Sequence, residues 1–118
     1  MPLTNPDIEI QESWKTPILG NSWANATGTP TLTPAGYFMD SLGIVHLRGS
    51  LTGGALATTM FVLPTAYRPA YRHQIAVATR DTSVVLFGKL DVFADGSVQI
   101  GAGGVFRVFL DGVSFRAG

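Results

Sequence analysis

The fold of this chain is decided by residues 36–51, which read Gly-Tyr-Phe-Met-Asp-Ser-Leu-Gly-Ile-Val-His-Leu-Arg-Gly-Ser-Leu. Two short apolar runs flank residues 40–43, Asp-Ser-Leu-Gly, a composition that is typical of a turn. In the second run Val45, Leu47 and Leu51 fall on one side, and Ile44, His46 and Arg48 fall on the other. A period of two around a turn predicts a β-hairpin with one face in a core.

The remaining chain repeats this pattern of short strands and turns. Asp followed by Gly occurs at 95–96 and 111–112, and each pair predicts a hairpin because glycine permits the positive φ of tight turns. No segment shows helical periodicity. Strands are predicted at residues 18–25, 37–40, 44–51, 58–63, 72–80, 84–94, 97–102, 105–110 and 113–116. The sequence therefore predicts an all-β fold, an antiparallel β-sandwich of jelly-roll-like type.

Two regions are expected along the chain. Residues 1–14 are polar and contain prolines, which predicts an N-terminal arm with Trp14 as its anchor on the main body. Residues 15–118 form the β-sandwich domain. A chain of 118 residues is long enough for one domain with a real core.

Charged residues make up only 14% of the chain, against about 25% in an average soluble domain. A small domain has much surface for its volume, so a low charge content indicates that other subunits cover part of that surface. The formal net charge is zero, which argues against binding to nucleic acid or to anionic membranes. No apolar run is long enough to cross a bilayer, and the chain has no cysteine.

Apolar residues on both faces of several strands predict where subunits meet. Along residues 84–94 the second face begins with Val85 and Phe87, where a solvent-facing strand would carry polar side chains. Residues 105–110 are also apolar on both faces, with Phe106 placed on the side of Val108. The inward set of residues 84–94 is predicted to be Val84, Leu86, Leu90 and Val92.

The opening hairpin offers a second candidate subunit contact. Ile44, His46 and Arg48 lie on the face of the strand opposite the predicted core. If this face is covered by another subunit, His46 and Arg48 need polar partners there. An oligomer is the predicted assembly.

Catalytic and metal-binding patterns are not found. His46 and His73 lack the spaced partner ligands of a metal site or a catalytic triad. Paired carboxylates could hydrolyse a glycosidic bond, but three of the candidates, Asp40, Asp95 and Asp111, are explained by turns. Asp91 remains in a strand, two positions from Lys89 on the same face. We therefore expect no catalytic residue, no metal and no cofactor.

The loop of residues 67–72, Tyr-Arg-Pro-Ala-Tyr-Arg, is the best candidate for ligand binding. Tyrosine can stack on a sugar ring, and arginine offers paired donors. Tyr67 and Arg68 are expected to fix the loop to the sandwich. For Tyr71 and Arg72 the same structural role and a ligand-binding role both remain open.

Five short stretches between residues 14 and 115 follow one another in a recognisable order and spacing. They are 19–23 (Leu-Gly-Asn-Ser-Trp), 34–49 (Pro-Ala-Gly-Tyr, then Asp40 and Gly-Ile-Val-His-Leu-Arg-Gly), 61–69 (Phe-Val-Leu-Pro, then Tyr-Arg-Pro), 95–98 (Asp-Gly-Ser-Val) and 110–115 (Leu-Asp-Gly-Val-Ser-Phe). Together they resemble C-terminal domains of phage and prophage tail fibres and related receptor-binding or baseplate proteins.

The resemblance implies a small β-sandwich that trimerises at a tail tip and contacts the host surface, including its glycans. It also implies a location in the virion beside other tail or capsid proteins, after synthesis in the host cytoplasm. No signal peptide is expected, because residues 1–17 have no basic n-region and no apolar h-region. Such domains follow a longer shaft, whereas about 13 residues precede Trp14 here. We therefore expect either a stand-alone virion protein or a fragment of a longer fibre.

Three functions remain open at this stage. The first is a non-enzymatic trimeric tail-tip or receptor-binding module, which gains affinity from symmetry-related weak sites. The second is a purely structural virion component, such as a capsid decoration or tail-assembly protein. The third is a small bacterial carbohydrate-binding or glycan-active domain.

Overall fold

The computed structural model describes residues 11–118, so most of the predicted arm over residues 1–14 lies outside the described residues. The described chain contains ten strands and one short 3-10 helix, Thr65–Tyr67. The strands are β1 Ala24–Asn25, β2 Gly36–Met39, β3 Ile44–Arg48, β4 Ser50–Thr52, β5 Thr59–Val62, β6 His73–Arg80, β7 Val85–Val92, β8 Ser97–Ala102, β9 Arg107–Phe109 and β10 Ser114–Arg116.

All strand pairs are antiparallel, and they form two sheets. The larger sheet has the order β1-β4-β9-β6-β7-β8-β5, and the smaller sheet has the order β10-β3-β2. One apolar core joins side chains from both sheets, among them Val45 and Phe115 from the smaller and Leu51, Leu90 and Val108 from the larger. The predicted all-β antiparallel sandwich is confirmed.

The opening hairpin forms, but its predicted second strand, residues 44–51, is divided into β3 and β4, which lie in different sheets. Strands β2 and β3 pair with Phe38 opposite His46, and Gly43 takes the positive φ of the connecting turn. Asp40 stabilises this turn, because its Oδ1 accepts the backbone N–H groups of Leu42 and Ile44. The predicted inward residues Val45, Leu47 and Leu51 are fully buried.

The chain passes from one sheet to the other at Gly49, between β3 and β4. Its φ of 118° is a conformation that glycine adopts readily, and a Cβ there would lie 2.5 Å from Ala35 Cα. The return crossing lies beside it between β9 and β10, where the Leu110 N–H donates to Gly49 O and Asp111 Oδ1 accepts the Gly49 N–H. Strands that switch sheets at a bend make the corners of such sandwiches.

The hairpin predicted across residues 111–112 is therefore wrong. A turn does form there, but β9 pairs with β4 and β6 in the larger sheet, and β10 pairs with β3 in the smaller. The sequence predicts that the Asp111 side chain bonds within its own turn, whereas its Oδ1 accepts the N–H of Gly49, 62 residues away. By contrast, the hairpin predicted at residues 95–96 forms between β7 and β8, with a positive φ at Gly96.

The strand predicted over residues 18–25 is reduced to Ala24–Asn25. Asn21 and Ser22 both have positive φ, which breaks an extended run just before the buried ring of Trp23. The inward position of Trp23 is as predicted, and its indole N–H donates to Thr58 Oγ1 at 3.0 Å.

Burial along β7 and β9 departs from the predicted faces near the strand ends. Leu90 and Val92 are fully buried as predicted, but Val84 and Leu86 are exposed. Val84 precedes β7 and Leu86 is its second residue, so both lie at the end of the strand that joins the β6–β7 turn. Phe106 is likewise exposed because it precedes β9 instead of pairing within it.

The part of the arm that the structure describes packs on the smaller sheet. Lys15 forms an antiparallel bridge with Tyr37 through N–H···O distances of 2.8 and 3.0 Å. Trp14 meets Phe38 edge-on with ring centroids 4.5 Å apart, and the Arg48 guanidinium lies 4.5 Å over its ring. Trp14 is therefore the expected anchor, whereas the boundary at residue 14 stays a prediction.

Glu12 fastens the same segment to two elements. One carboxylate oxygen accepts the Met39 N–H at 2.7 Å, and both accept the Tyr67 hydroxyl at 2.9 Å. The Met39 N–H, followed by the Tyr67 hydroxyl, holds the pKa of Glu12 below its ordinary value. Burial, together with this carboxylate, raises the pKa of Tyr67 to about 12.

Candidate binding surface

The two candidate ligand-binding residues, Tyr71 and Arg72, lie in the loop that leads into β6. Tyr71 is 81% exposed. It lines a cavity of about 300 Å³ with His73 and with residues 116–118 near the end of β10. The preceding part of the loop is fixed as expected, since Tyr67 binds Glu12 and the Arg68 Nε–H donates to Leu63 O at 2.8 Å.

Arg72 points to a different side from Tyr71, onto the outer face of the larger sheet. Its Nε and Nη2 groups both donate to Asp91 Oδ1, at 3.3 and 3.0 Å, and its guanidinium lies 5.0 Å from the Phe93 ring centroid. The Asp91 side chain is only 4% exposed, whereas that of Arg72 is 48% exposed. A buried carboxylate needs such partners, so Arg72 has a structural role whatever else it binds.

Lys89 completes this cluster from the same strand as Asp91. Its Nζ lies 3.6 Å from Asp91 Oδ2, and its side chain is 39% exposed. Gly101 on the neighbouring strand leaves room for both side chains, because a Cβ there would lie 2.5 Å from Asp91 Oδ2 and 2.9 Å from Lys89 Cε. The same-face position of Lys89 and Asp91 was predicted from their spacing.

Strand register extends the cluster across three strands. Asp91 lies opposite Gln74 of β6 on one side and opposite Gln99 of β8 on the other. Paired residues share one face of a sheet, so the amides flank the carboxylate. We call this set the polar half of the outer face: Arg72, Gln74, Lys89, Asp91 and Gln99.

The other half of the same face is apolar. Phe87 lies opposite Ala78, and Val85 lies opposite Arg80, nearer the turn that joins β6 and β7. Phe87 is 78% exposed and Val85 is 70% exposed. Val85 and Phe87, together with Ala76 and Ala78, line a shallow depression of about 320 Å³. We call Ala76, Ala78, Val85 and Phe87 the apolar half of the outer face.

The other predicted contact, Ile44, His46 and Arg48, lies on the smaller sheet, away from Val85 and Phe87. All three are half-buried within the single chain. His46 Nε2 is hydrogen-bonded to Asp40 Oδ2 at 2.9 Å, and the His46 ring stacks on Phe38 with centroids 4.8 Å apart. The hydrogen bond to His46, then the Ile44 N–H, holds the pKa of Asp40 below its ordinary value.

His46 therefore has a polar partner within its own chain, and Arg48 lies over Trp14. The Nε of Arg48 is buried and has no hydrogen-bond partner among residues 11–118. His46 thus needs no polar partner from another subunit, and a subunit contact at Ile44, His46 and Arg48 stays a prediction.

A further groove was not foreseen from the sequence. It has a volume of about 660 Å³ and lies between residues 16–21 and the edge strand β5, with Ile18 and Val62 exposed on its rim. The Gly20 N–H donates to Met60 O, and the Asn21 side chain donates to Thr59 O. These bonds cap part of the free edge of β5, a protection that depends on long-range contacts.

Within residues 11–118, no group of three or more histidine, cysteine or acidic side chains could hold a metal ion. The described part of the chain also contains no helix that is long and apolar enough to cross a membrane.

Neither a protein-family model nor a curated protein matches this sequence. Among solved structures, the crystal structure of the receptor binding protein (gp15) of Listeria phage PSA has a similar fold, with a TM-score of 0.69 and 18% sequence identity. The match covers 90% of this chain and 65% of the phage protein, so this chain spans a little less than two thirds of that protein's length. The shared fold thus occurs in the class of protein that the sequence resembles.

Proposed function

We propose that this chain is a non-enzymatic phage virion protein, a trimeric module that binds the host surface at the tail tip. The observation that carries the proposal is the fold shared over 90% of the chain with a phage receptor binding protein. The ordered sequence stretches described above point independently to the same class. In this proposal the chain resides in the virion, beside other tail proteins.

The surface features support this role. Tyr71 offers an exposed aromatic ring beside a cavity, the kind of surface on which a sugar ring stacks. The apolar half of the outer face offers a flat sheet surface for symmetry-related copies, and it agrees with the low charge content. Three weak glycan sites on one trimer would bind a cell surface through avidity.

Binding to bacterial cells tests the proposal. The purified chain, labelled with a fluorophore, is added to a panel of strains that includes Listeria, and bound fluorescence is measured by flow cytometry. Tyr71→Ala should weaken binding by at least about tenfold, which corresponds to about 1.4 kcal/mol for the loss of an aromatic anchor. Leu56→Ala, which removes another exposed apolar side chain outside these surfaces, should bind like the unaltered chain.

The alternatives predict different results. A purely structural virion component would form an oligomer but bind no strain in the panel. A bacterial carbohydrate-binding or glycan-active domain would be monomeric at micromolar concentration in sedimentation. If Tyr71→Ala and Leu56→Ala bind equally well, the loop is not the site of contact.

A further inference from the structure

We propose that the polar half of the outer face binds an anionic group, a carboxylate or a phosphate, between Arg72 and Lys89. The inference rests on the proposed function for the source of this group, a saccharide or polymer of the bacterial surface. The charge of the group is inferred from side chains that the structure places together.

Arg72 and Lys89 both have N–H groups that are not used in hydrogen bonds to Asp91. Arg72 engages Asp91 through Nε and Nη2, and among residues 11–118 no hydrogen bond involves its Nη1 group. Lys89 Nζ lies 3.6 Å from Asp91, beyond hydrogen-bond length, and makes no hydrogen bond within the same residues. Both cationic groups therefore keep N–H donors for an acceptor that approaches from solvent.

The local charge balance favours an anion. Arg72 and Lys89 supply two positive charges, and Asp91 supplies one negative charge beneath them. Because Asp91 is almost fully buried while both cations are about half exposed, a ligand meets the cations first. The carboxylate also restrains both side chains in advance, which lowers the entropy that binding would cost.

The flanking amides suit a hydroxyl-rich ligand. Gln74 and Gln99 lie on either side of Asp91, and Gln99 is held by a 3.2 Å bond from its Nε2 to Thr59 Oγ1. Among residues 11–118 no hydrogen bond involves the Gln99 side-chain oxygen, which can therefore accept a hydroxyl. An anionic group that is attached to a sugar or polyol matches this combination of cations and amides.

A purely structural ion pair explains less of the cluster. Arg72 alone gives Asp91 two charge-assisted bonds, so Lys89 is not required at its side. Yet Gly101 provides the space in which Lys89 lies against Asp91, since any larger residue there would displace the lysine.

The experiment uses the full chain in nuclear magnetic resonance titrations with three probes: methyl phosphate, glucuronate and neutral methyl glucoside. We expect at least one anion to shift the resonances of Arg72, Lys89, Gln74 and Gln99, and methyl glucoside to bind at least about tenfold more weakly. A response to methyl phosphate alone or to glucuronate alone identifies the phosphate or the carboxylate as the group bound.

Lys89→Met is the decisive variant, because Asp91 keeps both bonds from Arg72 and the fold should persist. It should weaken anion binding about tenfold, the factor for one charge-assisted bond. Lys15→Met, which removes the other lysine of the chain, should change it less than twofold. Equal binding by both variants, equal binding of charged and neutral probes, or shifts confined to other residues would overturn the inference.

The two proposals fail in different ways. If the chain binds cells but no anion shifts these resonances, the proposed function stands and the anion site is refuted. If anions bind with the expected sensitivity to Lys89 but no cell binds, the site stands and the receptor-binding role is refuted.

Discussion

Replacing Asp111 with alanine tests the bend at which the chain changes sheets. The Asp111 carboxylate accepts the N–H of Gly49 at 2.9 Å, and Gly49 is buried although Asp111 itself is exposed. Asp111→Ala leaves this N–H without its acceptor. A hydrogen bond to a charged group contributes about 1.5–3 kcal/mol, and we take the lower limit because water can reach the exposed side.

A loss of about 1.5 kcal/mol lowers the melting temperature by about 6 °C in a chain of this length. Differential scanning calorimetry or circular dichroism measures the shift. Asp111→Asn keeps an oxygen acceptor and should lose less than half as much. Asp95→Ala is the matched control, because its carboxylate accepts the Ser97 N–H within its own exposed turn.

The reasoning is refuted if Asp111→Ala has the same melting temperature as Asp95→Ala, or if Asp111→Asn has the same melting temperature as Asp111→Ala. The first result would mean that the long-range bond to Gly49 adds nothing to the sheet crossing. A large loss with both Asp111 variants would instead indicate that the charge itself, and not the acceptor oxygen, stabilises the bend.

Two further predictions concern assembly and the arm. In the proposed trimer, Phe87→Asp should cost about 2 kcal/mol or more per interface and so dissociate the subunits, whereas Val62→Asp, at an exposed valine elsewhere, should not. Sedimentation equilibrium measures the difference, and a chain that is monomeric without any substitution contradicts the trimer. The lowered pKa of Glu12 means that its stabilisation is present above pH 4.5 and is lost as pH falls through the folded-state pKa. The protection of the Lys15 amide against hydrogen exchange, relative to the intrinsic rate at each pH, should therefore fall in acid. Glu12→Gln should show the lower protection already at neutral pH, with little further change; an acid response that persists in Glu12→Gln would exclude Glu12 as its cause.

Local patterns predicted most of the strands because their physical causes are local. Alternation in residues 44–48 placed Val45 and Leu47 in the core, and glycine at position 96 fixed a hairpin that forms. The same reasoning failed at residues 111–112, where an identical Asp-Gly pair joins strands of different sheets. The difference lies in the partners of the strands, which the turn residues do not encode.

The candidate site was predicted in part. Tyr71 and Arg72 were singled out by residue type, and the spacing of Lys89 and Asp91 placed them on one face. Their side chains diverge in the structure, since Tyr71 lines a cavity while Arg72 binds Asp91 from another strand. Gln74 and Gln99 went unnoticed, because only the register of β6, β7 and β8 places them beside Asp91.

The sequence by itself determined the class of the fold, most of the turns and most of the residues that enter the core, because these follow from alternation and from backbone conformations allowed to glycine. Tertiary structure alone decided that Gly49 and Asp111 meet at one bend and that one sheet face divides into an apolar and a polar half. These features arise from contacts between residues far apart in the chain. Such contacts depend on strand register and order, which no local stretch of sequence specifies.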